Sequence, residues 1–336
     1  MSFSMDVKEE LEKQIPQARH CRIAELAALL SFCGSYRYGE EGTDYVKIST
    51  DNLTVACKYF ILLEKTFKIR PEVTVKNSHG SYNYQIIVTD SKTVQSVLMA
   101  VKIISEEELT KDGLCHHSSR DASEFTEAAV NGLLVQNVCC KRGYIRGAFL
   151  AAGSITDPNK SYHYEIVAGS RERADSIQEI LTSFDIDSKC MVRKNNCVVY
   201  VKEGAQISDI LNIMEAHVAL MKLENVRILK EMRNTINRKV NCEAANITRT
   251  SEASFRQQQD ILYIRDHMGF DNLSEQLREI AMYRIDYPDA SLKELAAMLH
   301  PPIGKSGVNH RLRKLSAIAT ELREHKEEKK NAGKED

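Results

Sequence analysis

Apolar and polar positions along the chain change register in the same order twice. Leu26-Ala27-Ala28-Leu29-Leu30-Ser31-Phe32 is a helical apolar string closed by Cys33-Gly34. Ile145-Arg146-Gly147-Ala148-Phe149-Leu150-Ala151 is a second, closed by Ala152-Gly153, 119 positions later. After each glycine comes a short β-rich run, 45–49 in one copy and 162–167 in the other. Helical patterns follow over 52–67 and 171–184. Two more strands follow in each copy, 71–76 and 82–89 against 188–194 and 197–202. Val73 and Val75 alternate there with Thr74 and Lys76, the period of a strand. A last helix closes each copy, 94–104 and 207–223. The predicted order is helix, strand, strand, helix, strand, strand, helix, twice over. Ala28 and Gly147 hold the third position of the two strings. Small side chains let helices approach backbone to backbone, so this pair predicts a pseudo-two-fold axis.

Beyond the second copy the pattern is wholly helical. Over 221–240, Ile228, Met232 and Ile236 recur on one side with Leu229, and Arg227, Lys230 and Arg233 face the other, expected as a solvated basic face. The polar stretch 241–253 predicts a hinge. Between the two copies, Asp112-Gly113, Ser118-Ser119 and Asp121 supply turn chemistry, and 125–138 can hold a helix. Residues 324–336 are charged without an apolar face and are expected to be a disordered tail.

Residues 273–320 predict three helices. The first carries Leu277, Ile280 and Ala281 and ends before Pro288. The second opens on Ser291-Leu292-Lys293-Glu294, a capping box in which serine and glutamate satisfy free backbone N–H groups reciprocally. His300-Pro301-Pro302 stops it and Gly304 ends the turn. The third runs from about Ser306, with Val308, Leu312, Leu315 and Ala319 as its apolar stripe. Ser306, His310, Arg313, Lys314 and Ala317 then face away, with Asn309 and Arg311 beside them. Between Lys305 and Arg323 the acid is Glu321 alone. A helix-turn-helix whose second helix exposes basic and amide groups suits base edges and phosphates. The candidate DNA-binding residues are Lys305, Ser306, Asn309, His310, Arg311, Arg313 and Lys314.

Composition narrows the function. A chain of 336 residues suggests two or three domains. Its formal net charge of −1 means that any nucleic-acid surface is a local cluster. No run of about 20 apolar residues predicts a membrane span, and the acidic start lacks a signal peptide's apolar core. Nine cysteines without CxxC spacing read as reduced thiols in a cytoplasm. Cys115-His116-His117 and Cys139-Cys140 are the grouping to weigh for metal. They lack paired knuckle spacing, so neither metal nor cofactor is expected.

The two apolar strings resemble the LAGLIDADG motif of homing endonucleases, whose last residue before the glycine is an acid. Cys33 and Ala152 stand there instead. The resemblance implies a nuclease scaffold without its metal carboxylates, since Mg²⁺ wants oxygen ligands. A degenerate pair followed by a helix-turn-helix resembles the WhiA family of bacterial regulators. The residues carrying this are Arg146 to Ser154, Tyr162-His163-Tyr164-Glu165, Asn241-Cys242-Glu243-Ala244-Ala245-Asn246, Val308-Asn309-His310-Arg311-Leu312-Arg313, and the opening Ser2-Phe3-Ser4 with Val7-Lys8-Glu9-Glu10-Leu11. That resemblance implies a DNA-binding protein of sporulation transcription, cell division or chromosome segregation.

The expected fold is α+β: two pseudo-symmetric αββαββα repeats and an all-α helix-turn-helix domain. The segments are 1–110, 111–223 with the joining stretch, a linker helix and hinge over 224–255, the helix-turn-helix over 256–323, and the tail 324–336. The expected function is non-enzymatic binding of double-stranded DNA in the cytoplasm, at the nucleoid, with a second transcription regulator as a further candidate partner and no membrane. One alternative is an active endonuclease using displaced acids, Asp157 and Glu40. Another is an interaction protein whose old DNA face docks a regulator.

Overall fold

The computed structural model describes residues 2–37, 44–78, 80–104 and 130–332. The chain divides into two compact units, Met1–Lys230 and Glu231–Asp336. The first begins with α1 (Phe3–Lys13), which Ser2 caps through Oγ. One copy of the repeat follows: α2 (Arg19–Cys33), β1 (Gly34–Arg37), β2 (Tyr45–Thr50), α3 (Leu53–Phe67), β3 (Glu72–Ser78), β4 (Ser81–Val88) and α4 (Ser91–Ala100). The second copy is α5 (Val138–Ala152), β5 (Gly153–Ile155), β6 (Tyr164–Gly169), α6 (Arg171–Thr182), β7 (Lys189–Arg193), β8 (Asn196–Val201) and α7 (Gly204–Ile213). The twofold order is the expected one, and the structure supplies the first strand of each copy, β1 and β5, for which the pattern marks no separate run. Each copy makes a four-stranded antiparallel sheet, β1-β2-β4-β3 and β5-β6-β8-β7. The first strand of each starts at the motif glycine itself.

One face of each sheet meets the helices. Register puts Val46, Ile48, Ile86 and Val88 on the buried face of the first sheet, and Tyr164, Ile166, Val199 and Val201 on that of the second. Both faces belong to a single core that also holds α2 and α5. Burial of this apolar surface is the main term holding the unit together.

The axis between α2 and α5 depends on two missing side chains. A Cβ on Gly147 would lie 2.6 Å from the Glu25 carbonyl oxygen and 2.8 Å from Ala28 Cβ. One on Gly143 would lie 2.9 Å from the Cys21 carbonyl oxygen. The two third-position residues of the strings therefore meet at the contact. Beside it, the buried Glu25 carboxylate takes Lys58 Nζ at 3.0 Å and Arg146 Nε at 3.1 Å. Arg146 Nη1 reaches Glu215 at 2.8 Å and the Met214 carbonyl at 3.1 Å. Lys58 Nζ also donates to the Leu11 and Gln14 carbonyls. Two cations meet two anions, with Glu215 at the half-exposed margin, and losing one of the buried partners Glu25, Lys58 or Arg146 would leave the others uncompensated.

The structure departs from the pattern in four places. The helix expected over 207–223 breaks after α7, because Glu215 adopts a left-handed φ of 67° and Arg146 holds the bend through Glu215 and Met214. The hinge expected over 241–253 is helical, inside α8 (His217–His267). That stretch contains no Gly or Pro, and the Thr248 and Thr250 hydroxyls are satisfied within the helix, on the Ala244 and Asn246 carbonyls. On α8 the expected faces hold only in part, since Arg233 is exposed as expected but the other two cations of its face are engaged and the apolar side is not covered. Arg227 pairs with Glu224 at 2.6 Å and Lys230 donates to the Pro158 carbonyl, while Ile228, Leu229, Met232 and Ile236 are exposed. The last departure is the tail, where α11 (Lys305–Ala332) runs through most of the stretch expected to be disordered. Glu and Lys are good helix formers, so a charged run can extend a helix that packing has already nucleated.

In the stretch expected to be helical over 125–138, the described part holds a single 3-10 turn, Gly132–Val135, before α5. Glu40, Cys115-His116-His117, Asp112-Gly113, Ser118-Ser119 and Asp121 lie outside the described residues. Among those described, no helix is long and apolar enough to cross a membrane.

The second unit is helical. Ile261 and Ile264 of α8 pack with α9 (Glu275–Asp286), α10 (Leu292–Met298) and α11 around Ile280, Ala281, Leu295 and Leu299. The predicted capping box is formed: Ser291 N donates to Glu294 Oε2 at 2.7 Å, and Glu294 N to Ser291 Oγ at 3.3 Å.

Candidate nucleic-acid interface

Two places could engage DNA: the ends of the motif helices and the exposed face of α11. At the motif ends, Cys33 is half-buried and its thiol donates to the Leu29 carbonyl at 3.0 Å. Burial pushes that thiol up to about 12, although the nearby Lys8 ammonium pulls the other way. The thiol is therefore protonated at neutral pH. Its counterpart, Ala152, offers only a methyl. Helix α1 adds a cation to the same place. Lys8 Nζ stands 5.8 Å from the Phe149 ring centroid and faces Asp51 and Cys33. Burial lowers its affinity for the proton, and the Asp51 carboxylate opposes this. Ser4 Oγ accepts the Ile155 N–H at 3.3 Å, so α1 is anchored on β5. At the two motif positions themselves stand a neutral thiol and a methyl, and the nearby Asp51 carboxylate faces the Lys8 ammonium.

Asp157, the described one of the two displaced acids, is engaged in a turn. Its Oδ1 accepts Asn159 N and Nδ2, each at 2.9 Å, and these bonds lower its proton affinity. Glu165 accepts Ser154 Oγ at 3.1 Å and pairs with His163 at 3.0 Å. Among the described residues, no group of three His, Cys, Asp or Glu side chains gathers at the motif ends.

In the second unit, the stripe predicted for the third helix is the one that packs. Val308, Leu312, Leu315 and Ala319 are buried in the core. This fixes the opposite face. Lys305, Ser306, His310, Arg313, Lys314 and Ala317 are exposed, and Asn309 and Arg311 are half-buried at its margins. All seven predicted contact residues thus lie within three turns at the start of α11. Farther along, Arg323 is engaged within the unit: it pairs with Asp260 at 2.8 Å and covers the Tyr263 ring.

The sheets carry a basic surface that the sequence reading did not single out. Register puts Arg37, Lys47 and Lys76 on the outer face of the first sheet with Glu72. Arg37 and Lys47 both lie over Tyr45. Strand alternation marks one face of β3 as polar, Glu72, Thr74 and Lys76, but Val73 and Val75 on the inner side are half-exposed at the sheet edge, so polarity alone does not say which face is outward.

Three family models match successive parts of the chain: the WhiA N-terminal LAGLIDADG-like domain over 19–104, the WhiA LAGLIDADG-like domain over 141–233, and the WhiA C-terminal HTH domain over 236–319. A relative from Lachnoclostridium phytofermentans, named "Probable cell division protein WhiA", is 54% identical across 96% of this chain and 100% of its own. One of the same name from Alkaliphilus oremlandii is 46% identical, covering 97% of this chain and 99% of its own. The crystal structure of full-length WhiA from Thermotoga maritima is similar with a TM-score of 0.56 at 23% identity, over 96% of this chain and 99% of that one.

Proposed function

The chain belongs to the WhiA family, and from that premise we propose that it is a non-enzymatic protein that binds double-stranded DNA through its second unit and acts in cell division or its transcriptional control. The observation that carries this is the face of α11: a short run of Lys, Ser, Asn, His and Arg held outward by a buried apolar stripe. Amide and guanidinium groups there match base edges, and the flanking cations match phosphates. The motif ends support the non-enzymatic part. Metal-assisted phosphodiester cleavage needs oxygen ligands for its ions, and Cys33, Ala152 and Lys8 provide none. A cytoplasmic protein acting at the nucleoid fits this role, and a second transcription regulator is the partner class we add to DNA.

The test is in vitro selection from sheared genomic DNA with the full chain, at a stated salt concentration. The reading expects a small set of fragments that share a sequence. Capture without any sequence preference, unchanged when the α11 cations are replaced, would remove it.

A further inference from the structure

The axis that sets Gly147 against Ala28 also joins the first turns of α2 and α5. His20 and Cys21 lie in one turn, Cys139 and Cys140 in the other, and the pairs are separated by the same 119 positions as the motif glycines. They are mates across the pseudo-two-fold. His20 Nδ1 lies 3.1 Å from Cys140 Sγ, 3.4 Å from Cys21 Sγ and 3.9 Å from Cys139 Sγ. The four donor atoms all fall within 4.8 Å of one another. A tetrahedron built on Zn–S of about 2.3 Å and Zn–N of about 2.0–2.1 Å has edges of about 3.4–3.8 Å. Small side-chain rotations bring the set onto that figure.

We propose that His20, Cys21, Cys139 and Cys140 form a structural zinc site that clamps α2 to α5. Three thiolates and an imidazole are a soft donor set, which selects Zn²⁺ over Mg²⁺ or Ca²⁺. Four protein ligands fill the coordination sphere, so the ion is structural and has no open position for a substrate. Cys21 and Cys140 are buried and give the site its floor, while His20 and Cys139 are exposed and give the ion its entry. Binding exchanges three thiol protons for the ion and releases them to solvent. The remaining charge of −1 lies at two helix N-termini, where the dipole stabilises it. A disulfide would use two of the three sulfurs and leave the histidine aside. A helix of 15 residues is about 22 Å long, so the site lies at the far end of α2 from Cys33 and is separate from any cleavage centre.

The test is metal analysis of the full chain, purified under reducing conditions without chelator. Elemental analysis should give about one zinc per chain, falling below about a tenth in the double variant Cys139→Ser, Cys140→Ser. Cys242→Ser, far along α8, should keep it. Exchange with Co²⁺ should give the intense visible bands of tetrahedral cobalt and a thiolate charge-transfer band in the near ultraviolet. His20→Ala should preserve the charge-transfer band and shift the visible ones. A chelator should lower the melting temperature of the wild type and leave that of the double variant unchanged. Wild type without stoichiometric zinc or cobalt, an octahedral cobalt spectrum, a Cys21–Cys140 disulfide in the reduced preparation, or equal zinc loss in Cys242→Ser would each overturn the proposal. The wild-type cobalt spectrum decides the matter even if a variant fails to fold.

Discussion

Arg313 and Lys314 sit side by side on α11, both exposed, and their chemistry assigns them different work. A guanidinium can take the two acceptors of a guanine edge together, whereas an ammonium acts as a point charge suited to phosphate. Arg313→Ala should cost about 1–3 kcal/mol of binding and relax the preference at one base position. Lys314→Ala should weaken binding to all sequences alike and reduce the salt slope by about 0.9, the share of one neutralised phosphate. Titrations of selected and scrambled duplexes at several salt concentrations separate the two. Equal losses on every duplex for Arg313→Ala would remove it as a base reader. At the motif ends, Cys33 and Ala152 lead to a second expectation: no cleavage of DNA with Mg²⁺ or Mn²⁺. Nicking that survives purification and vanishes in Asp157→Ala would contradict it. Restoring both acids, Cys33→Asp with Ala152→Asp, should not create a nuclease, because Lys8 stays beside the site and the groups that orient metal ligands are missing. The missing acids could be read from the sequence. Lys8 could not, because nothing in a helical stretch at the chain start says that it will lie over Phe149, a helix residue more than a hundred positions away.

Between elements, the contact of α2 with α5 is the strongest constraint in the first unit. Gly147→Leu would drive a side chain into the Glu25 carbonyl and Ala28 Cβ, already at 2.6 and 2.8 Å from a bare Cβ. Overpacking should cost roughly 1–3 kcal/mol or more. Lys160→Leu, at an exposed turn, should stay within about 0.5 kcal/mol. Equal melting temperatures for wild type and Gly147→Leu would refute the close contact. The twofold element order and this axis were readable because periodicity and small residues are local signals repeated at one spacing. Breaks and continuations were less so. Glu215 turns the chain because Arg146 holds it there, a long-range ion pair that no window of sequence contains. The stretch 241–253 looked like a hinge because polarity was taken for irregularity, yet its threonines bond back into the helix. The set His20, Cys21, Cys139 and Cys140 is hidden for a like reason: the partners of Cys139-Cys140 are not its neighbours in sequence but lie across the axis.

At the scale of the molecule, the two units have separate cores. The apolar cluster of the first contains residues from Val7 to Leu223, and that of the second runs from Ile261 to Ala319. A chain ending at Lys230 therefore retains every buried residue of its own core, with Arg227 and Lys230 still engaged on Glu224 and Pro158. It should melt cooperatively with the far-ultraviolet signature of a mixed helix and sheet protein. Without α11 it should lose most sequence-specific binding. What remains should be weak, steeply salt-dependent and indifferent to sequence, the behaviour of scattered cations such as Arg37, Lys47 and Lys76 on a sheet face. The comparison is competition binding of this fragment and the full chain on one selected duplex, with a scrambled duplex beside it. The result that would sink the assignment is a fragment as tight and as selective as the whole. DNA would then be read by the outer sheet faces, and α11 would be a surface for some other partner.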